Sequence, residues 1–283
     1  MGWAGKDIFG MFQARRNKST IGLMFNLAEV MYISTVRKVR QAHGNAILSI
    51  GLSLFQSALF LFAFYMMFSF MGGRSSAIRG NFLMYLMSGI FLYLTHIQTV
   101  RSVMNSESST SSMMQHAPMN TLVAIVSAAA STLYVQTLSL LVLLFVMHTL
   151  LEPVVIDQWA PAFLMYLLAW LSGVAVGLVF LALKPWMPDV IAILQMVYIR
   201  ANMIASGKMF VANSLPGFLI HLFAWNPLFH AIDQTRGFVF VNYFPHNTNW
   251  EYALGFSVVL ILLGLMGEAY TRKRASASWG AHR

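Results

Sequence analysis

The chain has 283 residues, of which 58% are hydrophobic and 10% charged, with a formal net charge of +9 and a mean hydropathy of +0.66. Soluble domains carry about 25% charged residues, so this balance excludes a soluble globular protein and describes a polytopic membrane protein. Its length leaves room for about six spans of ~20 residues in one integral domain, and the absence of cysteine excludes disulfides, zinc-finger spacings and thiol chemistry.

Residues 1–45 form a segment without the apolar core of a cleavable signal peptide. Its cations, Lys6, Arg15, Arg16, Lys18, Arg37, Lys38 and Arg40, surround apolar positions at helical spacing, among them Ile21, Met24, Phe25, Ala28, Met31 and Tyr32. This pattern predicts an amphipathic helix lying along the membrane face with its cations toward lipid headgroups. A soluble helix packed on a partner would carry the same pattern.

A transmembrane region over residues 46–269 follows. The charge-free run from Ala46 to Met71 predicts a first span, Asn81 to Gln98 a second, and Met119 to His148 contains a third with the small-residue cluster Ser127 to Ser131. Pro161 to Leu183 predicts a fourth span, Val190 to Ser206 a short fifth, and Trp250 to Ala269 a sixth before the basic tail 270–283. Between spans two and three lies the polar segment 99–118, with the serine-rich run SESSTSS at its centre. Serine-rich segments also occur simply as solvated loops.

Residues 207–245 are too apolar for an aqueous loop and too broken by Gly207, Pro216, Gly217, Pro227, Gly237 and Pro245 for one spanning helix. Two helix starts are legible, Ser214 ahead of Pro216 and Asn226 ahead of Pro227, each pairing a capping side chain with a proline at the first turn. A helix from Pro216 to Trp225 covers roughly 15 Å, about half of a 30 Å hydrocarbon core. The expectation is a re-entrant helical hairpin before the last span. Broken backbone at membrane depth needs protein cover or a water-filled cavity, so the hairpin is expected inside a helical bundle beside a pathway.

Charge asymmetry gives the orientation. With both ends cytoplasmic, the N-terminal cations, Arg101, Lys184 and the tail gather on the inner side, and Arg74, Arg79, Lys208 and Arg236 are left outside. The scattering of these charges over loops argues against nucleic acid as a partner. Arg200 reads two ways: an intramembrane cation facing an anionic substrate, or a residue that snorkels to the outer interface after an early helix end. Asp233 and Arg236, three apart, are expected to form a local ion pair, and Glu268 is expected to face Arg272 at i+4. His221 and His230 are read as structural hydrogen-bonding residues, His96 and His148 as interfacial ones, and no metal or catalytic constellation is expected. The aromatics Phe218, Phe223, Trp225, Phe229, Phe238, Phe240, Tyr243 and Phe244 crowd one segment. They suit either a gate offering sliding contacts to sugar rings or an interfacial belt with bundle packing.

Six spans, a basic amphipathic N-terminal helix, a polar segment between spans two and three, and a broken apolar hairpin before the last span resemble the permease subunit of type-2 ABC exporters. The order Ser214-Leu215-Pro216, Asn226-Pro227-Leu228, His230 and Arg236 is similar to the C-terminal pattern of permeases that export capsular polysaccharide and O-antigen. The early aromatic-and-proline motif of that branch has no counterpart in Ile47 to Gln56, ILSIGLSLFQ.

The resemblance implies an all-α permease of the bacterial inner membrane, itself not an enzyme and carrying no cofactor. It implies two copies flanking one path for a lipid-linked glycan and two copies of an ABC ATPase that bring ATP and Mg. This chain has no GxxxxGK[ST] phosphate loop. In the family, the segment between spans two and three couples to the ATPase, which here corresponds to Asn105, Glu107, Gln115, His116 and Pro118. The residues read as substrate path or gate from the broken hairpin, its aromatics and the intramembrane cation are Arg200, Phe218, Phe223, Trp225, Asn226, Pro227, Phe229, Arg236 and Tyr243. Export of a smaller amphiphile, a drug or a lipid, fits the same architecture. An ion-coupled carrier fits less well, because carboxylates are few in the spans and paired broken helices are not seen.

Overall fold

A computed structural model describes residues 20–41, 46–70, 78–106 and 121–280. Among these the regular structure is helical: α1 (Thr20–Gln41), α2 (Ala46–Phe70), α3 (Phe82–Met104), α4 (Thr121–Leu150), α5 (Trp159–Leu183), α6 (Pro188–Ala205), a 3-10 turn (Ala212–Ser214), α7 (Gly217–Phe223), α8 (Pro227–Val239) and α9 (Trp250–Gly280). Five helices, α2, α3, α4, α5 and α9, are long and apolar enough to cross a membrane. The short fifth span expected over Val190 to Ser206 forms a helix, α6, but α6 is not among these five. Its 18 residues include Asp189, Gln195, Arg200 and Asn202, which dilute the apolar run.

The bundle is organised around α3. Nearly every residue of α3 from Met84 to Val100 is buried, the polar Ser88, Thr95, His96 and Thr99 among them, so this helix meets protein on all sides. Asn81 caps it, accepting from the backbone N–H of Leu83 at 2.8 Å and of Met84 at 3.2 Å. α5 packs along α3 on one side and along α9 on the other, and α4 and α8 close further faces. The outer helices α2, α4, α6 and α9 turn rows of large apolar residues outward, among them Phe55, Phe145, Ile193 and Leu262. Such faces match a lipid surround, where apolar exposure costs nothing. α1 packs chiefly along α4 and leaves Val30, Tyr32 and Ile33 exposed.

Small residues set how closely the central helices approach. A Cβ on Gly173 of α5 would lie 2.7 Å from the His96 carbonyl oxygen of α3, and one on Gly177 would lie 2.8 Å from Val103 Cβ. The spacing is the small-xxx-small arrangement that permits tight crossings in lipid. Polar side chains then tie the crossings. His96 places Nδ1 2.8 Å from Ser172 Oγ and Nε2 2.8 Å from the Tyr198 hydroxyl, joining α3, α5 and α6. Tyr166 reaches Thr95 and Thr137, and Trp170 Nε1 donates to the Ala129 carbonyl at 3.0 Å. His96 is therefore a fully buried helix-crossing residue, not the interfacial one its place near a span end suggested: α3 continues to Met104, six residues past the boundary drawn at Gln98.

Gly173→Leu is expected to force α3 and α5 apart. Overpacking of a tight core costs about 1–3 kcal/mol, and here the obstructing atom is backbone. The variant should lose its monodisperse size-exclusion peak at a lower temperature than the parent, and Ser172→Ala should show the smaller loss of the two hydrogen bonds that its hydroxyl makes, with His96 and with the Ala169 carbonyl.

Candidate functional site

The site is built where the chain leaves α6. Gly207 adopts φ +75°, a left-handed conformation open to glycine at little cost. A Cβ there would also meet the Phe229 ring at 2.7 Å. The turn it makes docks on Gly89 of α3, where an added Cβ would lie 2.8 Å from the Lys208 carbonyl oxygen and 2.9 Å from Arg236 Nη2. Gly89 stands seven residues into α3, about 10 Å from its start at 1.5 Å per residue. The broken backbone thus lies well inside the apolar bundle.

Arg236 satisfies that backbone. It reaches back from α8 and donates from Nη1 to the carbonyls of Gly207 (2.8 Å) and Phe210 (2.6 Å), and from Nη2 to the carbonyl of Lys208 (2.7 Å). Its guanidinium lies 4.3 Å from the centre of the Tyr85 ring and the residue is 1% exposed. The planar fork is what allows one side chain to hold three carbonyls of a single turn. Asp233 does not pair with it. Its carboxylate accepts instead from the Tyr243 hydroxyl and from Thr248 Oγ1 at 2.8 Å, which fixes the chain between α8 and α9. The i, i+3 spacing placed the two charges on neighbouring positions, but each found closer partners across the fold.

Lys208 points the other way from the same turn. Its Nζ lies 3.5 Å from the centre of the Tyr93 ring, 4.9 Å from Phe60 and 5.1 Å from Phe64. The residue is 1% exposed and Nζ has no hydrogen-bond partner. Tyr93 stands eleven residues into the 23-residue α3, so this ammonium sits about halfway along the central helix, roughly 16 Å from its start. The positive-inside count had left Lys208 and Arg236 in outer loops. Both are buried in the bundle. The available signal was the segment itself, a lysine between Gly207 and Met209-Phe210-Val211 in an otherwise apolar run.

Asn226 joins the hairpin to α6. Its side-chain oxygen accepts from the Leu228 N–H at 3.1 Å, and its amide donates to Asn202 Oδ1 at 2.8 Å and to the Ala205 carbonyl at 3.1 Å. Pro227 is buried at the first position of α8, as the sequence pattern requires. The other expected start differs. Ser214 lies in the 3-10 turn and donates to the Val211 carbonyl, while Pro216 precedes α7 without a side-chain cap. α7 is consequently only seven residues long, Gly217–Phe223, shorter than the ten-residue helix expected.

The two hairpin arms take different environments. α8 is buried from Pro227 to Asp233, whereas α7 buries Phe223 alone. The aromatic set divides accordingly. Phe223 and Phe229 cluster inside with the half-buried Phe210, which lies outside that set, with ring centres 5.5 Å apart for Phe210 and Phe223 and 6.1 Å for Phe223 and Phe229, while Phe240 and Tyr243 join the main core and the half-buried Phe238 packs against it. Phe218, Trp225 and Phe244 are exposed. Arg200 is exposed on α6. His230 is a structural residue: Nε2 donates to the Ala224 carbonyl at 2.8 Å and Nδ1 accepts from the Asn249 N–H at 2.9 Å. His148 accepts from the Val154 N–H at 3.1 Å. Among the described residues no group of three or more His, Asp or Glu is placed to hold a metal ion.

Of the coupling set, Asn105 alone is described. It ends α3 and accepts from Lys184 Nζ at 3.0 Å, which ties the α3 end to the α5–α6 turn. Glu107, Gln115, His116 and Pro118 lie outside the described residues, as does the side chain of Arg272, the expected partner of Glu268.

Asn226→Ala is expected to remove the α8 cap and both links to α6. Cap loss costs about 0.5–2 kcal/mol, too little to prevent insertion. Protease accessibility near residue 226 should rise while the helical content of the purified protein stays within error. Pro227→Ala should loosen the same corner more mildly.

No protein-family model matches the chain, and no curated protein matches it.

Proposed function

We propose that the chain is the transmembrane subunit of an ATP-driven exporter of the type-2 ABC class, moving a lipid-linked polysaccharide across a bacterial inner membrane. Two copies flank one path, and two separate ATPase subunits supply the energy. The observation that carries the reading is the turn Gly207 to Phe210, broken backbone at membrane depth with its carbonyls held by Arg236 and a second cation, Lys208, beside it. Irregular backbone and ionisable groups at that depth mark pathways by default.

In this reading α6 is the fifth of six crossings, and its exposed face, with Val190, Ile193 and Val197, meets lipid or the second copy. α1 is the interface helix, and both termini are cytoplasmic. With Lys208 and Arg236 taken as intramembrane, Arg74 and Arg79 are the outer cations left, which strengthens the positive-inside asymmetry. ATP binding draws the ATPase pair together, the segment 99–118 passes the motion to α3, and the hairpin α7–α8 rearranges beside α6 to open an exit.

One observation favours a second reading, export of a smaller amphiphile. A cleft of about 390 Å³ bordered by Met87, Phe91, Leu140, Phe163 and Tyr166 is almost wholly apolar, a lining suited to a drug-sized or lipid molecule.

The test is to purify the chain alone and with ABC ATPase subunits encoded beside it, and to measure ATP hydrolysis. A stoichiometric complex with activity absent from the chain alone is the expected result. No association by a folded chain would overturn the exporter reading and leave an ion-coupled carrier as the surviving class.

A further inference from the structure

The rest of the chain leaves α6 almost bare. Of its 18 residues only Ile191 and Asn202 are buried, and Ile193, Met196, Val197, Met203 and Ile204 stand exposed. Arg200 is exposed among them. At about 3.6 residues per turn it falls opposite Ile191, Tyr198 and Asn202, in the middle of the outward face. Two hydrogen bonds to α3 fix its height. The Tyr93 hydroxyl donates to the Ile199 carbonyl at 3.5 Å, and the Tyr198 hydroxyl lies 2.8 Å from His96 Nε2. Tyr93 and His96 stand eleven and fourteen residues into the 23-residue α3, roughly 16 and 21 Å from its start. Counted from the other end, Arg200 lies twelve residues past Pro188, roughly 18 Å along α6. Both counts put Arg200 near the middle of a hydrocarbon core about 30 Å thick.

The apolar neighbours of Arg200 would suit lipid by themselves. A guanidinium at that depth does not, because it is costly in hydrocarbon, and the side chains that escape by snorkelling start near a helix end. Among the described residues none bonds or pairs with Arg200. The other deep cations differ: Lys208 is covered by aromatic rings and Arg236 by carbonyls of this chain. Water at Arg200 must therefore be held between this chain and another protein surface. In the exporter reading that surface is a second copy. A two-fold axis beside α6 then brings two Arg200 side chains toward one space. Like charges repel there, so an anion between them is favoured over direct packing, and guanidinium forks suit phosphate and carboxylate oxygens.

We propose that Arg200 lines a water-filled path along α6, closed on its far side by a second copy of this chain, and there binds a phosphate or carboxylate group of the molecule that passes. The second copy and the passing molecule rest on the exporter reading. The water at Arg200 rests on its depth and exposure alone.

The chain has no cysteine, so an introduced thiol is the sole one. Met196→Cys and Met203→Cys, about one turn to either side of Arg200, are compared with Leu262→Cys on the exposed face of α9, each in the full chain in phosphatidylcholine nanodiscs. The probes are methanethiosulfonates carrying a sulfonate, a neutral hydroxyl or a quaternary ammonium. The thiolate is the form that reacts, so the labelling rate, followed by mass spectrometry, reports water. Met196→Cys and Met203→Cys should label with all three, the sulfonate fastest, and Leu262→Cys with none. Adding Arg200→Gln should lower the sulfonate-to-ammonium rate ratio about tenfold, while the neutral probe still labels. A bifunctional methanethiosulfonate should join two copies through Met203→Cys and not through Leu262→Cys. Helical signal and melting temperature check the fold of each variant. Glycerol phosphate and glucuronate, added before the sulfonate probe, separate the two anions: the one that slows labelling only when Arg200 is present names the group, and protection by both shows that either is held. Each of these supports the proposal. Labelling no faster than in Leu262→Cys, a rate ratio unmoved by Arg200→Gln, protection by neither anion, or no cross-link between copies would overturn it. So would loss of neutral labelling in Arg200→Gln, which would mean that the guanidinium draws water into lipid. No arm uses an ATPase, so a chain that meets them and binds no ATPase subunit keeps the site and loses the exporter reading.

Discussion

Arg236→Ala is expected to destabilise the protein by about 4 kcal/mol, the largest effect of any single change at the hairpin. Hydrogen bonds to a charged donor contribute about 1.5–3 kcal/mol each, and Arg236 makes three, at 2.6–2.8 Å, to the carbonyls of Gly207, Lys208 and Phe210. Truncation removes the donors and leaves the acceptors. Those carbonyls stand beside Gly89, inside the apolar bundle, where no water replaces the lost partner. The three bonds share one side chain and are not additive, which holds the sum near the lower bound of the individual terms. The measurement is thermal unfolding of the purified variant in detergent, followed by loss of its monodisperse peak.

Arg236→Lys separates charge from geometry. A lysine ammonium can reach one or two of the three carbonyls but cannot span the turn as a fork does. It should recover less than half of the lost stability, whereas full recovery would show that position 236 needs only a positive charge. Gly89→Leu should reproduce the alanine phenotype from the opposite wall, because its side chain would occupy the space of the Lys208 carbonyl and Arg236 Nη2.

What the sequence made legible follows from range. α2, α3, α4, α5 and α9 announce themselves as long apolar runs, a signal contained within each segment. Asn226-Pro227 is equally local, cap and first turn in adjacent residues, and the helix begins there. The partners of Arg236 are 26 to 29 residues away, and Asp233, its neighbour in the chain, is taken by Tyr243 and Thr248. Side-chain pairing rules derived from an isolated helix fail where a third element competes. His96 was misplaced for the same reason: its partners Ser172 and Tyr198 come from α5 and α6, and nothing near position 96 names them. α6 marks the reverse case, a segment whose Asp189 and Arg200 reduce its apolar signal although it forms a complete helix.

Lys208→Met is expected to raise stability by about 1–2 kcal/mol and to abolish function. Taking an ammonium out of water costs several kcal/mol, and insertion at mid-membrane about 2.5–3.5 kcal/mol. Three rings return part of that, since a desolvated cation–π contact contributes about 2 kcal/mol and the second and third rings, at 4.9 and 5.1 Å, add less than Tyr93 at 3.5 Å. The ammonium's three N–H donors remain without an acceptor. Methionine has the same reach, fills the same space, and gains its own contacts of about 0.3–1.5 kcal/mol with the rings. Tyr93→Leu with Lys208 in place should be destabilising, because it uncovers the cation to apolar side chains. In the double variant most of that loss should vanish, a coupling that a double-mutant cycle reads directly. If Lys208→Met instead destabilised as strongly as Lys208→Ala, the ammonium would be a structural clamp between the hairpin and α2. A more stable protein that no longer complements its own deletion would mean that this costly buried charge is kept for activity and not for stability.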